Sequence, residues 1–129
     1  MDGLVESGAV RVFYPHGLTH MLGLDVHDVT GGKKRRMANP TNVPVRFVAK
    51  LEPGFVITME PGIYFIRFLL ESPKIRAKYR AQINFKKAEG FLDFGGIRIE
   101  DDIVIEPHGP PLNLTQVPKE IDAIERLMS

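Results

Sequence analysis

The chain has 129 residues, 43% of them hydrophobic, with a formal net charge of +1. That is enough apolar material for one domain with a core, and so near a charge balance gives no electrostatic reason to expect nucleic acid or a membrane surface as partner. The chain has no cysteine, which excludes disulfides and thiolate zinc sites, so any metal must be held by His, Asp or Glu. No apolar run is long enough to span a bilayer and the N-terminus lacks a signal-peptide pattern, which together predict a soluble, cytoplasmic domain.

Residues 1–10 read as the tail of a helix or as a loop. Val10, Val12, Phe13 and Tyr14 then form a β-prone run into Pro15. The sixteen residues from Tyr14 to Val29 hold His16, His20 and His27, three of the four histidines in the chain. Neutral imidazole is the commonest protein ligand for transition metals, so the segment reads either as a metal or catalytic site or as a packed structural loop. The four-residue spacing of His16 and His20 imitates the helical zinc motif. Gly17 takes the place of its glutamate, however, and Gly17 and Gly23 argue against a continuous helix. In an extended segment His16 and His20 would share one face and His27 would take the other.

Thr30 to Pro44 is a polar connector with Gly31-Gly32 and the basic run Lys33-Lys34-Arg35-Arg36, read as a solvated loop tip rather than a nucleic-acid patch. Arg46, ahead of Phe47 and Val48, either snorkels or clamps a substrate carboxylate. The turn Leu51-Glu52-Pro53-Gly54 introduces Phe55 to Glu60, a buried strand ending in a carboxylate that must be exposed, paired or metal-bound. Ile63 to Leu70 starts an excursion from the sheet, and Glu71 to Gly90 reads as one or two short surface helices broken at Pro73.

From Ile97 to Ile105 one strand is expected. Ile97, Ile99, Ile103 and Ile105 lie on one face, with Arg98, Glu100 and Asp102 on the other, as a solvated edge or as a wall for cations. His108 falls in a proline-rich loop and Leu112 to Val117 is a connector. Pro118 is expected as the first residue of a C-terminal helix with Glu120 in its first turn and an apolar stripe of Ile121, Ile124, Leu127 and Met128. The elements add up to an α+β domain, an antiparallel sheet with flanking helices.

Three motifs occur in order: Pro15-His16-Gly17-Leu18-Thr19-His20 with Asp25-Val26-His27-Asp28, then Glu60-Pro61-Gly62-Ile63-Tyr64, then Gly96-Ile97-Arg98-Ile99-Glu100-Asp101. Together they resemble the pita-bread metallopeptidases, and within them the Xaa-Pro dipeptidases (prolidases), from about residue 10 to the end. The resemblance implies two divalent metals, usually manganese, held by two aspartates, one histidine and two glutamates. It makes His20, Glu60 and Glu100 metal ligands, with Glu100 bridging and Glu60 also moving protons. His27 corresponds to the histidine that contacts the scissile carbonyl or its tetrahedral successor, His16 to a histidine near the substrate, and Arg98 to an arginine beside the metals. Arg46 corresponds to the arginine that binds the free carboxylate of a dipeptide. With the long insert from Ile66 to Phe94, it favours prolidase over aminopeptidase P.

Thr19 stands where the resembled family has a very small residue. The family's two metal-binding aspartates lie upstream of the histidine segment, where only Asp2 occurs here. The chain is therefore expected to be the C-terminal part of a catalytic domain, spanning residues 1–129 as one partial domain and inactive alone. An Xaa-Pro dipeptide is the expected substrate and a homodimer the expected assembly, with no nucleic-acid or membrane partner. The other readings are aminopeptidase P and a non-catalytic pita-bread binding module, which the basic run alone favours.

Overall fold

The computed structural model describes residues 2–29 and 49–129, so the connector, the basic run and Arg46 lie outside the described residues. The described residues divide into two compact units.

The first unit comprises residues 2–17 and 61–98. It begins with helix α1 (Asp2–Glu6) and a 3-10 turn (Ala9–Val12), where the sequence suggested a β-prone run. The valines lose to tertiary packing. Gly8, at φ 77°, adopts a left-handed conformation open to glycine, and the turn that follows buries Ala9 and Val12 three residues apart on one side. Strand β2 (Gly62–Tyr64) pairs antiparallel with β3 (Gly96–Arg98), Gly62 facing Arg98 and Tyr64 facing Gly96.

Between these strands run α2 (Arg67–Leu70), α3 (Pro73–Tyr79) and α4 (Phe85–Glu89). Proline at the start of α3 suits a first-turn position, where its missing N–H costs nothing. Asn84 caps α4 by accepting from the Lys87 N–H. These helices are not merely surface elements: Leu70, Tyr79, Phe85 and Ala88 are buried with Ala9 and Val12, flanked by Phe13, Phe65 and Leu92. Arg76 secures the packing through ion pairing with Glu89, a bond to the Leu70 carbonyl at 3.1 Å, and a position 4.9 Å above the Phe85 ring.

The second unit comprises residues 18–29, 49–60 and 99–129. Its sheet is built on β1 (Val56–Met59), β4 (Asp101–Val104) and β5 (Leu112–Asn113) in the order β1-β4-β5, all antiparallel. Gly54, at φ 87°, makes the turn before β1 and donates to the Ile105 carbonyl at 2.8 Å. β1 is the buried strand expected from its sequence, with Ile57 and Thr58 each 1% exposed.

The expected strand from Ile97 to Ile105 is interrupted at Ile99 and Glu100, and each half finds its own partner. The partner segments meet at Glu60-Pro61, where proline has no N–H to contribute to a ladder. β5 occupies part of the expected connector. Helix α5 (Ile121–Met128) starts three residues after Pro118, with Glu120 as its extended N-cap rather than a first-turn residue. Among the described residues, no helix is long and apolar enough to cross a membrane.

Candidate metal centre

The segment carrying His20 adds a fourth row to the sheet of the second unit. Leu22 donates to the Val56 carbonyl, Thr58 to the His20 carbonyl and Glu60 to the Leu18 carbonyl, at 2.9–3.0 Å, and Met21 bridges Ile57 antiparallel. This register places His20 opposite Thr58, and the β1–β4 register places Thr58 opposite Asp102. Glu60 and Glu100 follow directly on the last pair of that register, Met59 opposite Asp101. Strand alternation therefore turns His20, Thr58, Glu60 and Glu100 to one face and Met21, Ile57 and Ile103 to the other. A periodicity of two, read across three segments far apart in sequence, assembles the site.

His20, Glu60 and Glu100 each offer one ligand atom, and these atoms lie within 4.8 Å of one another. His20 and Glu60 are buried, at 5% and 6% exposure, while Glu100 is exposed. The His20 Nδ1 lies 2.9 Å from the Met21 carbonyl, which can only accept, so Nδ1 carries a proton and, in the neutral imidazole that binds metals, Nε2 offers its lone pair. Nε2 faces Oε1 of Glu60 at 3.3 Å. Two acceptors aimed at one another in a buried site suit a cation between them, and a ligating histidine normally donates its other ring N–H in this way. Imidazole and carboxylate donors suit a divalent ion such as zinc or manganese.

His27 packs against one member of this group, His20. Its ring centroid lies 4.4 Å from that of His20 at an interplanar angle of 65°, contrary to the expectation that the two histidines occupy opposite faces. The cause is a tight loop after His20. Asp28 donates its N–H to the Met21 carbonyl, and its carboxylate accepts from the Leu24 and Val29 N–H groups. A Cβ on Gly23 would fall 1.8 Å from Oδ2 of Asp28, so the Asp28 carboxylate occupies the space that a side chain at residue 23 would need.

In the first unit His16 has its Nδ1 2.8 Å from the Gly17 carbonyl, which places a proton on Nδ1, and its Nε2 2.9 Å from the Tyr64 hydroxyl. Gly62 and Gly96 leave room for the Tyr64 ring, since a Cβ on either would approach it within 3 Å. Arg98 ends β3 in the first unit, opposite Gly62. Arg46 falls outside the described residues.

The sequence reading missed Thr58 and Asp28, which position the chemically conspicuous residues. Each is small and polar within an apolar or glycine-rich context, and only the pairing partners distant in sequence reveal what it holds.

An imidazole and two carboxylates converging from neighbouring rows of an antiparallel sheet are a donor set suited to a divalent metal ion. The chain belongs to metallopeptidase family M24, whose family model matches residues 1–107, and it carries part of the pita-bread fold. It is similar to the Xaa-Pro dipeptidases of Rattus norvegicus, at 41% identity over 131 aligned positions, and of Xanthomonas euvesicatoria, at 41% over 120. These alignments cover 100% and 89% of this chain but 26% and 27% of the relatives, so the chain spans about a quarter of their length. Among solved structures it resembles the Escherichia coli aminopeptidase P with the inhibitor Pro-Leu, with a TM-score of 0.60, 40% identity, and coverage of 98% of this chain and 23% of that one. The Yersinia pestis proline aminopeptidase P II is comparable, with a TM-score of 0.62, 38% identity, and coverage of 98% and 22%.

Proposed function

We propose that this chain is the C-terminal part of the catalytic domain of an Xaa-Pro dipeptidase, which hydrolyses dipeptides ending in proline with two divalent cations, manganese foremost. The observation that carries this reading is the convergence of the His20, Glu60 and Glu100 donor atoms within 4.8 Å, in a chain whose relatives include Xaa-Pro dipeptidases.

When bound, the cations supply Lewis acidity, polarising the scissile carbonyl and lowering the pKa of water toward neutrality. The chain's own residues do the rest. His20, its tautomer fixed by the Met21 carbonyl, holds metal through Nε2, and Glu100 and Glu60 hold it through carboxylate oxygens. Glu60 also relays a proton from the attacking water to the departing imino nitrogen of proline. His27, packed on His20, donates to the oxygen that becomes negative as the carbonyl is attacked. His16, braced by Tyr64, borders the substrate, and Arg98 balances the carboxylates of the metal site. Arg46 takes the free carboxylate of the dipeptide in a bidentate grip. Two aspartates from the upstream part of the domain complete the ligand set, so residues 1–129 alone are inactive. The assembly is a cytoplasmic homodimer with no nucleic-acid or membrane partner.

The likeness to solved aminopeptidase P structures supports a second reading, in which longer Xaa-Pro peptides are cleaved. The full-length protein, stripped of metal and restored with manganese, is to be assayed on an Xaa-Pro dipeptide and on the same dipeptide extended by one residue. The proposal predicts manganese-dependent cleavage with the dipeptide preferred, and light scattering of the same preparation as a dimer. It also predicts a loss of roughly 10- to 100-fold in dipeptide cleavage for Arg46→Ala, the worth of one charged hydrogen-bonding group. Preference for the longer peptide would establish aminopeptidase P instead, and no cleavage of either would point to a non-catalytic module.

A further inference from the structure

Thr58 is 1% exposed and its hydroxyl is bonded on two sides. The oxygen accepts the backbone N–H of His20 at 3.1 Å and donates its proton to Oε1 of Glu60, also at 3.1 Å. The same Oε1 faces Nε2 of His20 at 3.3 Å. One hydroxyl therefore ties together the backbone of one site residue and the carboxylate of another, across two rows of the sheet.

The directions of these bonds are dictated. A backbone N–H can only donate, so the threonine oxygen accepts there and its single proton is left for Glu60. The hydroxyl is itself held still. Two substituents on Cβ restrict rotation about χ1, and the flanking β1 residues pair with β4 on one side and with the His20 segment on the other. Serine would keep the bonds with a looser rotor, and valine would keep the shape without the bonds.

We infer that Thr58 is a positioning residue for the metal centre: its hydroxyl sets the plane of the Glu60 carboxylate and the reach of His20 so that both donors meet one cation. This rests on the proposed metal role of His20, Glu60 and Glu100. Outer partners of metal ligands commonly contribute about 10- to 100-fold in metal affinity.

The test is manganese titration by calorimetry of the metal-free, full-length protein as wild type, Thr58→Val, Thr58→Ser and His20→Ala. Thermal unfolding of each metal-free form is measured alongside. Thr58→Val is expected to lose about 10- to 100-fold in affinity, Thr58→Ser to stay close to wild type, and the metal-free melting temperatures not to account for the difference. Wild-type affinity in Thr58→Val, or an equal loss in Thr58→Ser, would overturn the inference. So would a hydroxyl-free chain that fails to fold while Thr58→Ser folds, because the hydroxyl would then serve folding. If wild type and His20→Ala bind manganese alike, the metal site itself is wrong and the failure lies with the function proposed above.

Discussion

Lys119 ends 2.6 Å from Oδ1 of Asp101, tying the approach to α5 onto β4. This bond is the main reason the Asp101 carboxyl is held below its ordinary value of 3.8; partial burial opposes the shift, and the Asn113 side chain and the Lys119 charge reinforce it. A carboxyl depressed in the folded state adds stability that is fully present above the unfolded value and lost as pH falls through the folded one. Lys119→Met is therefore expected to melt below wild type at pH 7, with the gap closing as the pH drops below about 4. A gap that persists or widens in acid, followed by scanning calorimetry of the full-length protein, would contradict this assignment.

Thr19 is a different case at the same scale. It stands where the resembled family has a very small residue, and its Oγ1 is buried with no hydrogen-bond partner among the described residues. The departure was visible in the sequence, but its physical consequence depended on what surrounds residue 19. The same limit applied to the histidines. Their chemistry was plain, but the grouping of His27 with His20 depended on Asp28 closing the loop against Gly23, which no periodicity reports.

Among the elements, β1 was legible because a short apolar run bounded by a turn and by Pro61 has few other structures open to it. Helix α5 was legible from its apolar stripe, although its start was misplaced: Pro118 suits a first turn, yet the chain stays extended through Glu120. The 3-10 turn at Ala9–Val12 was hidden because valines favour strands locally, while Tyr79, Phe85 and Ala88 supply a core that overrides them. The break in the 97–105 strand was hidden because it follows from the separate partners of its two halves, β2 and β1, which lie far away in sequence.

Since β1 connects the His20 segment to β4, its packing should matter more than its four-residue length suggests. Ile57 is 1% exposed, and Ile57→Ala is expected to cost about 2–5 kcal/mol by denaturant unfolding. A cost below about 1 kcal/mol would mean that the site collapses around the lost methyl groups or that the strand is not central.

At the scale of the whole molecule, the three motifs identified the family because their order and their residue types are both constrained by one chemistry. In the proposed role a histidine and two glutamates reach a shared cation, and antiparallel register brings their donor atoms within 4.8 Å from rows far apart in sequence. Composition alone gave only a domain of ordinary size. The chain spans about a quarter of the curated relatives it matches, and the ligand set proposed for it is correspondingly partial. Helix α5 leaves Ile121, Leu127 and Met128 more than 70% exposed, an apolar stripe with little cover in this chain, as expected of a segment that works within a larger protein.

The central claim is that His20, Glu60 and Glu100 bind metal in the service of peptide hydrolysis. Its most direct test is cobalt substitution of the full-length protein, comparing the visible absorption of the bound ion in wild type with that in His20→Ala and Glu100→Gln. The account predicts that both substitutions alter the cobalt spectrum and that hydrolysis of the Xaa-Pro dipeptide falls with it. An unchanged spectrum in both variants, with hydrolysis intact, would contradict it.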